Sequence, residues 1–435
     1  MKTIFVQPGA LPGGTVNVPG DKSLSHRVLI LGALAAGRSQ VRGWLPAGDT
    51  KATLNCVRAL GVTVEQADDT TLTVYGRGMD GLQAPAAALD CVNAGTGMRL
   101  LAGVLAGQRF ASVLDGSEQL RARPMRRITE PLRLMGACVT DDEGRAPLRF
   151  EPAALCGLRY EMPVASAQVK SCLLLAGLFA GGLTTVIEPG PARDHTERML
   201  RALGADVRSE NGAVTITPGA ALQPFDITIP GDMSSAAFVL AAAILAATGT
   251  VRINGVGVNP TRTGLLDILA AMGAQITQEN ARDEGGEPVA DLVVTPGSLH
   301  GAQIGGDLVV RAIDEFPALM VLATQATGET VVTGAAELRV KETDRIAVMA
   351  AELRKLGAQI EEQPDGFRVT GPQKLHGALV QGHDDHRVAM ALAVAGLVAA
   401  GETTVDDARC VNDSFPGFVA ALRGLGAAMR WQNDA

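Results

Sequence analysis

A short pattern recurs six times along the chain: Leu or Met, then Gly, then a strand-like run. It reads ALGVTV around Gly61, LMGACV around Gly136, ALGADV around Gly204, AMGAQI around Gly273, KLGAQI around Gly357 and GLGAAM around Gly426. The intervals are 75, 68, 69, 84 and 69 residues. That period exceeds the helical solenoid repeats, so the unit is a supersecondary assembly of several elements present in copies.

Each period also carries a second, apolar helix with a polar start. These segments begin at Asp21, Asn93, Ser166, Asp232, Asp314 and His383, and each runs to a terminal Gly. A polar cap and a closing Gly delimit helices of about 13 to 17 residues. Between the helices lie β-branched runs such as TTVIEP, GTVRING and ETTVDD, which read as strands. The pattern predicts an α/β fold built from six βαβαββ repeats.

A chain of 435 residues with that many copies divides into two domains, and an apolar content of 47% fills both cores. Aromatic residues make up only 3%, so Ala, Leu, Val and 51 Gly carry the packing. The punctuation VPGD at Val18–Asp21 returns as IPGD at Ile229–Asp232, each just before an apolar helix. These mark crossovers near Pro19–Gly20 and Pro230–Gly231. One domain of three repeats then spans 20–231. Residues 1–19 join 232–435 in the other. The stretch Gln278–Asp291 accounts for the longest interval and reads as a charged, flexible insertion without a role in function.

A net charge of −8 argues against general nucleic-acid binding. The start MKTIFVQPGA has no secretory apolar core, and no apolar run reaches the length of a membrane span, so a soluble cytoplasmic protein is expected. The six Cys show no CxxC spacing and are expected to be buried, reduced thiols.

The charged residues depart from what packing alone requires. Lys22, Arg27, Arg99, Lys170 and Arg387 stand near helix starts, where the helix dipole disfavours a cation unless an anion is bound. Further basic clusters, RARPMRR from Arg121, RDHTER from Arg193, NPTRTG from Asn259 and RVKETDR from Arg339, recur at equivalent points of the repeat. One such cluster is ordinarily a solvated face; repetition at one structural address points to phosphate and carboxylate binding. Asp314 with Glu315 has the plain reading of a helix cap, and Lys341, Glu342 and Arg345 that of a surface salt-bridge face. HDDH at His383–His386 lacks a third ligand cluster, so no metal site is assigned. P-loop, G-x-S-x-G and dinucleotide fingerprints are missing from the sequence, so neither a P-loop NTPase nor an α/β-hydrolase is supported.

Ten ordered motifs, GDKSLSHR, NAGTGMR, RARPM, SAQVKS, RDHTE, NPTRTG, IDEFP, LRVKETDR, DDHRVAMA and SFPGF, resemble the 3-phosphoshikimate 1-carboxyvinyltransferase (5-enolpyruvylshikimate-3-phosphate synthase) family across essentially the whole chain. The resemblance implies the two-domain inverse α/β barrel of the enolpyruvyltransferases, with the active site in the interdomain cleft. It also implies transfer of the enolpyruvyl group of phosphoenolpyruvate to the 5-hydroxyl of shikimate 3-phosphate, releasing phosphate, in chorismate and aromatic amino-acid biosynthesis. No metal or cofactor is implied, and a monomer is.

Carried over by motif, Lys22, Ser23, Arg27, Ser166, Ala167, Gln168 and Arg193 would hold shikimate 3-phosphate, together with Asp314 and Lys341. Lys22, Gly95, Arg123, Gln168, Arg345 and Arg387 would bind phosphoenolpyruvate. Asp314 would deprotonate the 5-hydroxyl, with Glu342, Lys341 and Lys22 serving proton transfer and charge. SAQVK, RDHTE and NPTR resemble the class II subgroup of this glyphosate target, but Gly95 stays Gly, so the herbicide response is left open. Where many members have a Lys before the Ser-Phe-Pro element, this chain has Asn412 and Asp413. The alternatives are UDP-N-acetylglucosamine enolpyruvyltransferase and a noncatalytic anion-binding protein. The former usually has Lys-Asn at the first helix and a Cys before Arg-Pro, whereas here Ser23 follows Lys22 and DGSEQLRARP lacks Cys.

Overall fold

The repeat glycine explains itself in the backbone. In the computed structural model, which describes residues 3–432, all six repeat glycines take φ between +84° and +102°. At Gly61 the N–H donates to Arg58 O at 3.0 Å while Val62 N reaches Val57 O at 3.4 Å, closing the helix Gly48–Ala59. A side chain resists that left-handed turn, so each copy stops its helix with the same residue.

Among the described residues the strands form six four-stranded sheets. In one, Arg159–Glu161 runs parallel to Thr184–Ile187, which pairs antiparallel with Ala213–Ile216 and so onward to Val207–Glu210. The helices Ala167–Gly177 and His195–Ala202 make the crossovers, giving the βαβαββ order expected from the sequence. The two Pro-Gly punctuations exchange edge strands. Gly14–Asn17, just before Val18, joins Val251–Gly257 in parallel, whereas Asp226–Thr228, just before Ile229, joins Ala36–Arg42. Ile4–Val6 lies between Thr403–Asp406 and Met429–Trp431, completing the last repeat with the start of the chain.

Two units result. One comprises the chain up to Pro19, Pro230–Arg282 and the residues from Pro288 onward; the other comprises Gly20–Ile229 and Asp283–Glu287. Each has its own apolar cluster. Small residues set the helix spacing: a Cβ on Gly103 would stand 2.1 Å from Cys172 O, so Gly95–Ala106 packs backbone to backbone on Ala167–Gly177. This is how a chain poor in aromatic residues fills its interior.

Two expectations need correction. Gln278–Asp291 is not a flexible insertion but most of a regular hairpin, Gln275–Glu284 with Glu287–Thr295. Its charges misled because one strand is almost wholly exposed, while Val289, Leu292 and Val294 of the other are buried. The six Cys are all unpaired, but Cys138 and Cys156 are exposed rather than buried. No helix among the described residues is long and apolar enough to cross a membrane.

Candidate active site

In the unit built on Gly20–Ile229, three apolar helices present their N-terminal turns: Lys22–Leu34, Gly95–Ala106 and Ala167–Gly177. Asp21 caps the first by accepting from Leu24 N at 2.8 Å. Lys22 pairs with Asp49, Nζ to Oδ2 2.5 Å, both side chains remaining partly open to solvent. Arg27 is buried and fully directed: Nε donates to Thr196 Oγ1 at 2.7 Å, Nη2 to Ser171 Oγ at 2.9 Å and Nη1 to Ser23 O at 2.9 Å. Burial lowers the Arg27 pKa to about 10, against the pull of Glu197, Asp21 and Glu287, and Arg193 repels it further. Two guanidiniums that repel each other favour an anion beside them.

Gln168 ties two helix starts together, donating from Nε2 to Thr96 Oγ1 at 2.9 Å and accepting from Arg99 Nη1 at 2.5 Å. Ser166 caps its helix, accepting from Val169 N at 3.4 Å, with Ala167 as the first helical residue. Gly95 begins its helix beside Arg123; an added Cβ would lie 2.8 Å from Arg123 Nη1. Lys22, Ser23, Arg27, Gly95, Arg123, Ser166, Ala167, Gln168 and Arg193 therefore all belong to one unit.

Other basic residues named from the sequence play structural parts. Lys170, 2% exposed, lies between the carboxylates of Glu188 and Glu197, the latter at 2.6 Å. Its charge is already neutralised, which removes it as an anion ligand. Arg262 of NPTRTG is buried against Asp232 Oδ1 at 2.9 Å. The repeat explains the error: these cations occupy equivalent addresses but are matched there by carboxylates remote in sequence.

The second unit gathers the remaining residues. Arg345, 2% exposed, donates from Nη1 to Asp314 Oδ1 at 3.3 Å, from Nη2 to Glu342 Oε2 at 2.6 Å and from Nε to Asp385 Oδ2 at 2.9 Å. Burial works against its charge, yet Asp385, Glu342 and Asp314 together outweigh burial and hold the guanidinium firmly protonated. Arg387 reaches Asp314 as well, Nη2 to Oδ2 3.5 Å and Nη1 to the backbone O at 3.1 Å. Asp314 thus sits between two guanidiniums, while Glu315 holds the N-cap position of the helix Phe316–Gln325. Desolvation lowers the Lys341 pKa, with Asp314, Glu337 and Glu342 acting to keep it charged and Arg345 adding to the lowering.

Asp385 was not singled out from the sequence as a partner of Arg345, because HDDH was weighed only as a metal cluster. Its members go separate ways: Asp385 to Arg345, His383 to Glu352 at 2.8 Å and Asp384 to Arg409 at 3.2 Å. Asp49, Thr196 and Ser171 were missed too, since nothing local in the sequence announces the partner of a distant cation.

A family model described as EPSP synthase (3-phosphoshikimate 1-carboxyvinyltransferase) matches residues 6–422. The 3-phosphoshikimate 1-carboxyvinyltransferase of Geobacter sp. (strain M21) is 52% identical over 427 residues, covering 98% of this chain and 99% of that one. That of Xanthomonas oryzae pv. oryzae (strain PXO99A) is 52% identical over 415 residues, 95% of this chain and 94% of its own. Among solved structures, EPSP synthase from Acinetobacter baumannii matches with a TM-score of 0.91 at 44% identity, over 100% of both chains. The enolpyruvyl transferase NikO from Streptomyces tendae, 21% identical with a TM-score of 0.81 over 99% of each chain, shares the fold. The ordered motifs and the six repeats agree with these likenesses, and the chain belongs to the EPSP synthase (3-phosphoshikimate 1-carboxyvinyltransferase) family.

Proposed function

We propose a division of labour between the two half-sites for the reaction this transferase catalyses, movement of the enolpyruvyl group of phosphoenolpyruvate to the 5-hydroxyl of shikimate 3-phosphate. Ser23, Arg27, Ser166, Ala167, Gln168 and Arg193 bind shikimate 3-phosphate. Lys22, Gly95, Arg123 and Gln168 take phosphoenolpyruvate from the same unit; Arg345 and Arg387 take it from the other.

In the first step Asp314 accepts the 5-hydroxyl proton, the freed oxygen forms a bond to C2 of phosphoenolpyruvate, and Glu342 delivers a proton to C3. Lys341 supports both transfers. In the ketal phosphate Glu342 then takes a proton back from C3 as the C2–C3 double bond reforms and the bond from C2 to the phosphate oxygen breaks, and the Arg and Lys side chains stabilise charge on the departing phosphate. The observation that carries this reading is the shared guanidinium: Arg345 contacts both Asp314 and Glu342, so the two proposed acid–base groups are positioned by one side chain.

Replacing Asp314 by Ala tests it. Turnover should fall about 10²–10⁴-fold, the usual range for a lost acid–base group, with the fold retained. Loss of turnover only in proportion to lost folded protein would return Asp314 to a structural role. We also propose a monomer in the cytoplasm. The exposed, unpaired Cys138 and Cys156 suit a reducing compartment, and light scattering tests the mass.

A further inference from the structure

The longest repeat interval is spent on a hairpin whose tip, Asp283–Glu287, belongs to the unit that contains Arg27 and Arg193. Its turn residues Gly285 and Gly286 both take positive φ, +64° and +89°, the pairing a tight two-residue hairpin turn requires. Asp283 Oδ1 fixes the turn by accepting from Gly286 N at 2.8 Å. The tip is closely seated: a Cβ on Gly285 would come within 2.6 Å of Ile227 Cδ1.

Glu287 follows the turn with only 2% of its side chain exposed, against 3% for His195, and its Oε1 meets His195 Nδ1 at 2.8 Å. A carboxylate this deeply buried demands such partners. Arg198 makes a second link, donating from Nη1 to Gly286 O at 3.2 Å and from Nε to Asp194 Oδ2 at 2.8 Å. The tip therefore grips both residues that follow Arg193: His195 directly and Asp194 through Arg198. The Arg27 guanidinium senses Glu287 as an attracting charge and Arg193 as a repelling one, which puts the pair, the two cations and the first turn of His195–Ala202 in one electrostatic neighbourhood.

We propose that Glu287 is a positioning residue for shikimate 3-phosphate: through His195, and beside it through Gly286 and Arg198, the hairpin tip holds the Arg193–His195 segment so that the Arg193 guanidinium meets the substrate anion. This rests on the reading of Arg193 as a shikimate 3-phosphate ligand. The extra strand length of this one repeat has, on this account, a purpose that a surface insertion would lack.

Steady-state kinetics of the full chain decide it, using Glu287→Ala, Glu287→Gln, Arg193→Ala and the Arg193→Ala/Glu287→Ala double variant, each checked by thermal unfolding. Glu287→Ala should raise KM for shikimate 3-phosphate about 5–10-fold while kcat and KM for phosphoenolpyruvate stay within about 2-fold, a loss of binding without loss of chemistry. Glu287→Gln keeps an acceptor for His195 and should recover most of that loss. The double variant should be no worse than Arg193→Ala alone, because placement ceases to matter once the guanidinium is gone. An unchanged shikimate 3-phosphate KM in folded Glu287→Ala, or effects that multiply in the double variant, would overturn the inference while leaving the site reading intact. No effect of Arg193→Ala on that KM would sink the site reading itself, and this inference with it. Should Glu287→Ala not fold, Arg198→Ala cuts the second link to the tip, and an unchanged KM there overturns the proposal equally.

Discussion

Asp385 grips Arg345 with both carboxylate oxygens, Oδ2 at 2.9 Å from Nε and Oδ1 at 3.3 Å from Nη2, and the same Oδ1 accepts from Arg387 N at 3.0 Å. One buried side chain thus orients a guanidinium and caps the helix His386–Gly396 that carries another. Thr343 Oγ1 completes the set, donating to Oδ2 at 3.1 Å. These bonds fix the conformation of Arg345, which would lower the ordering cost of the phosphoenolpyruvate binding proposed for it.

Asp385→Asn keeps the shape and removes the charge. Catalytic efficiency toward phosphoenolpyruvate should fall at least about 10-fold, and stability by about 1–3 kcal/mol as charge-assisted bonds become neutral ones. Kinetics alongside chemical denaturation measure both. Loss of stability at full catalytic efficiency would show that Asp385 serves the fold alone.

Gly95→Ala probes the space beside Arg123. The new Cβ would meet the Arg123 Nη1 atom at 2.8 Å and Arg99 Nη1 at 3.2 Å. Both are ends of flexible side chains, so the fold gives way easily and stability should change by less than about 1 kcal/mol. If Arg123 binds phosphoenolpyruvate as proposed, displacing its guanidinium should raise KM for phosphoenolpyruvate about 10-fold with KM for shikimate 3-phosphate within about 2-fold. Equal KM values for phosphoenolpyruvate in the variant and the parent would contradict this placement.

His26 bears on stability rather than chemistry. It is fully buried, with Nδ1 2.7 Å from Thr53 Oγ1, and burial lowers its pKa from 6.5 to about 3. The unfolded chain binds this proton first on acidification. The His26 contribution is therefore present above pH 6.5 and is lost as pH falls toward 3. By linkage the loss reaches about 2 kcal/mol at pH 5. His26→Gln should flatten the stability profile between pH 7 and 5 by roughly that amount relative to the parent. Parallel profiles for the two proteins would contradict a neutral, buried His26.

The architecture was legible because the six glycines report a backbone requirement, and only Gly satisfies a positive φ cheaply at a helix end. The motifs singled out Arg27, Asp314 and Arg345, and the fold gives each a buried or paired setting: Arg27 against Thr196 and Ser171, Asp314 between Arg345 and Arg387. Composition and spacing alone overstated the case for Lys170 and Arg262, which the fold pairs with Glu188, Glu197 and Asp232. Glu287 was hidden for the same reason: it lies 92 residues beyond His195, in a run whose Gly and charges look like a loop. Long-range charge pairing is set by topology, and no local window of sequence contains it.

The most direct test of the account is release of inorganic phosphate under steady-state conditions, with each substrate alone, with the pair, and with phosphoenolpyruvate plus UDP-N-acetylglucosamine. Phosphate should appear only when phosphoenolpyruvate and shikimate 3-phosphate are both present. Release with the UDP-sugar in place of shikimate 3-phosphate, or tight binding of both shikimate-pathway substrates without any release, would contradict it.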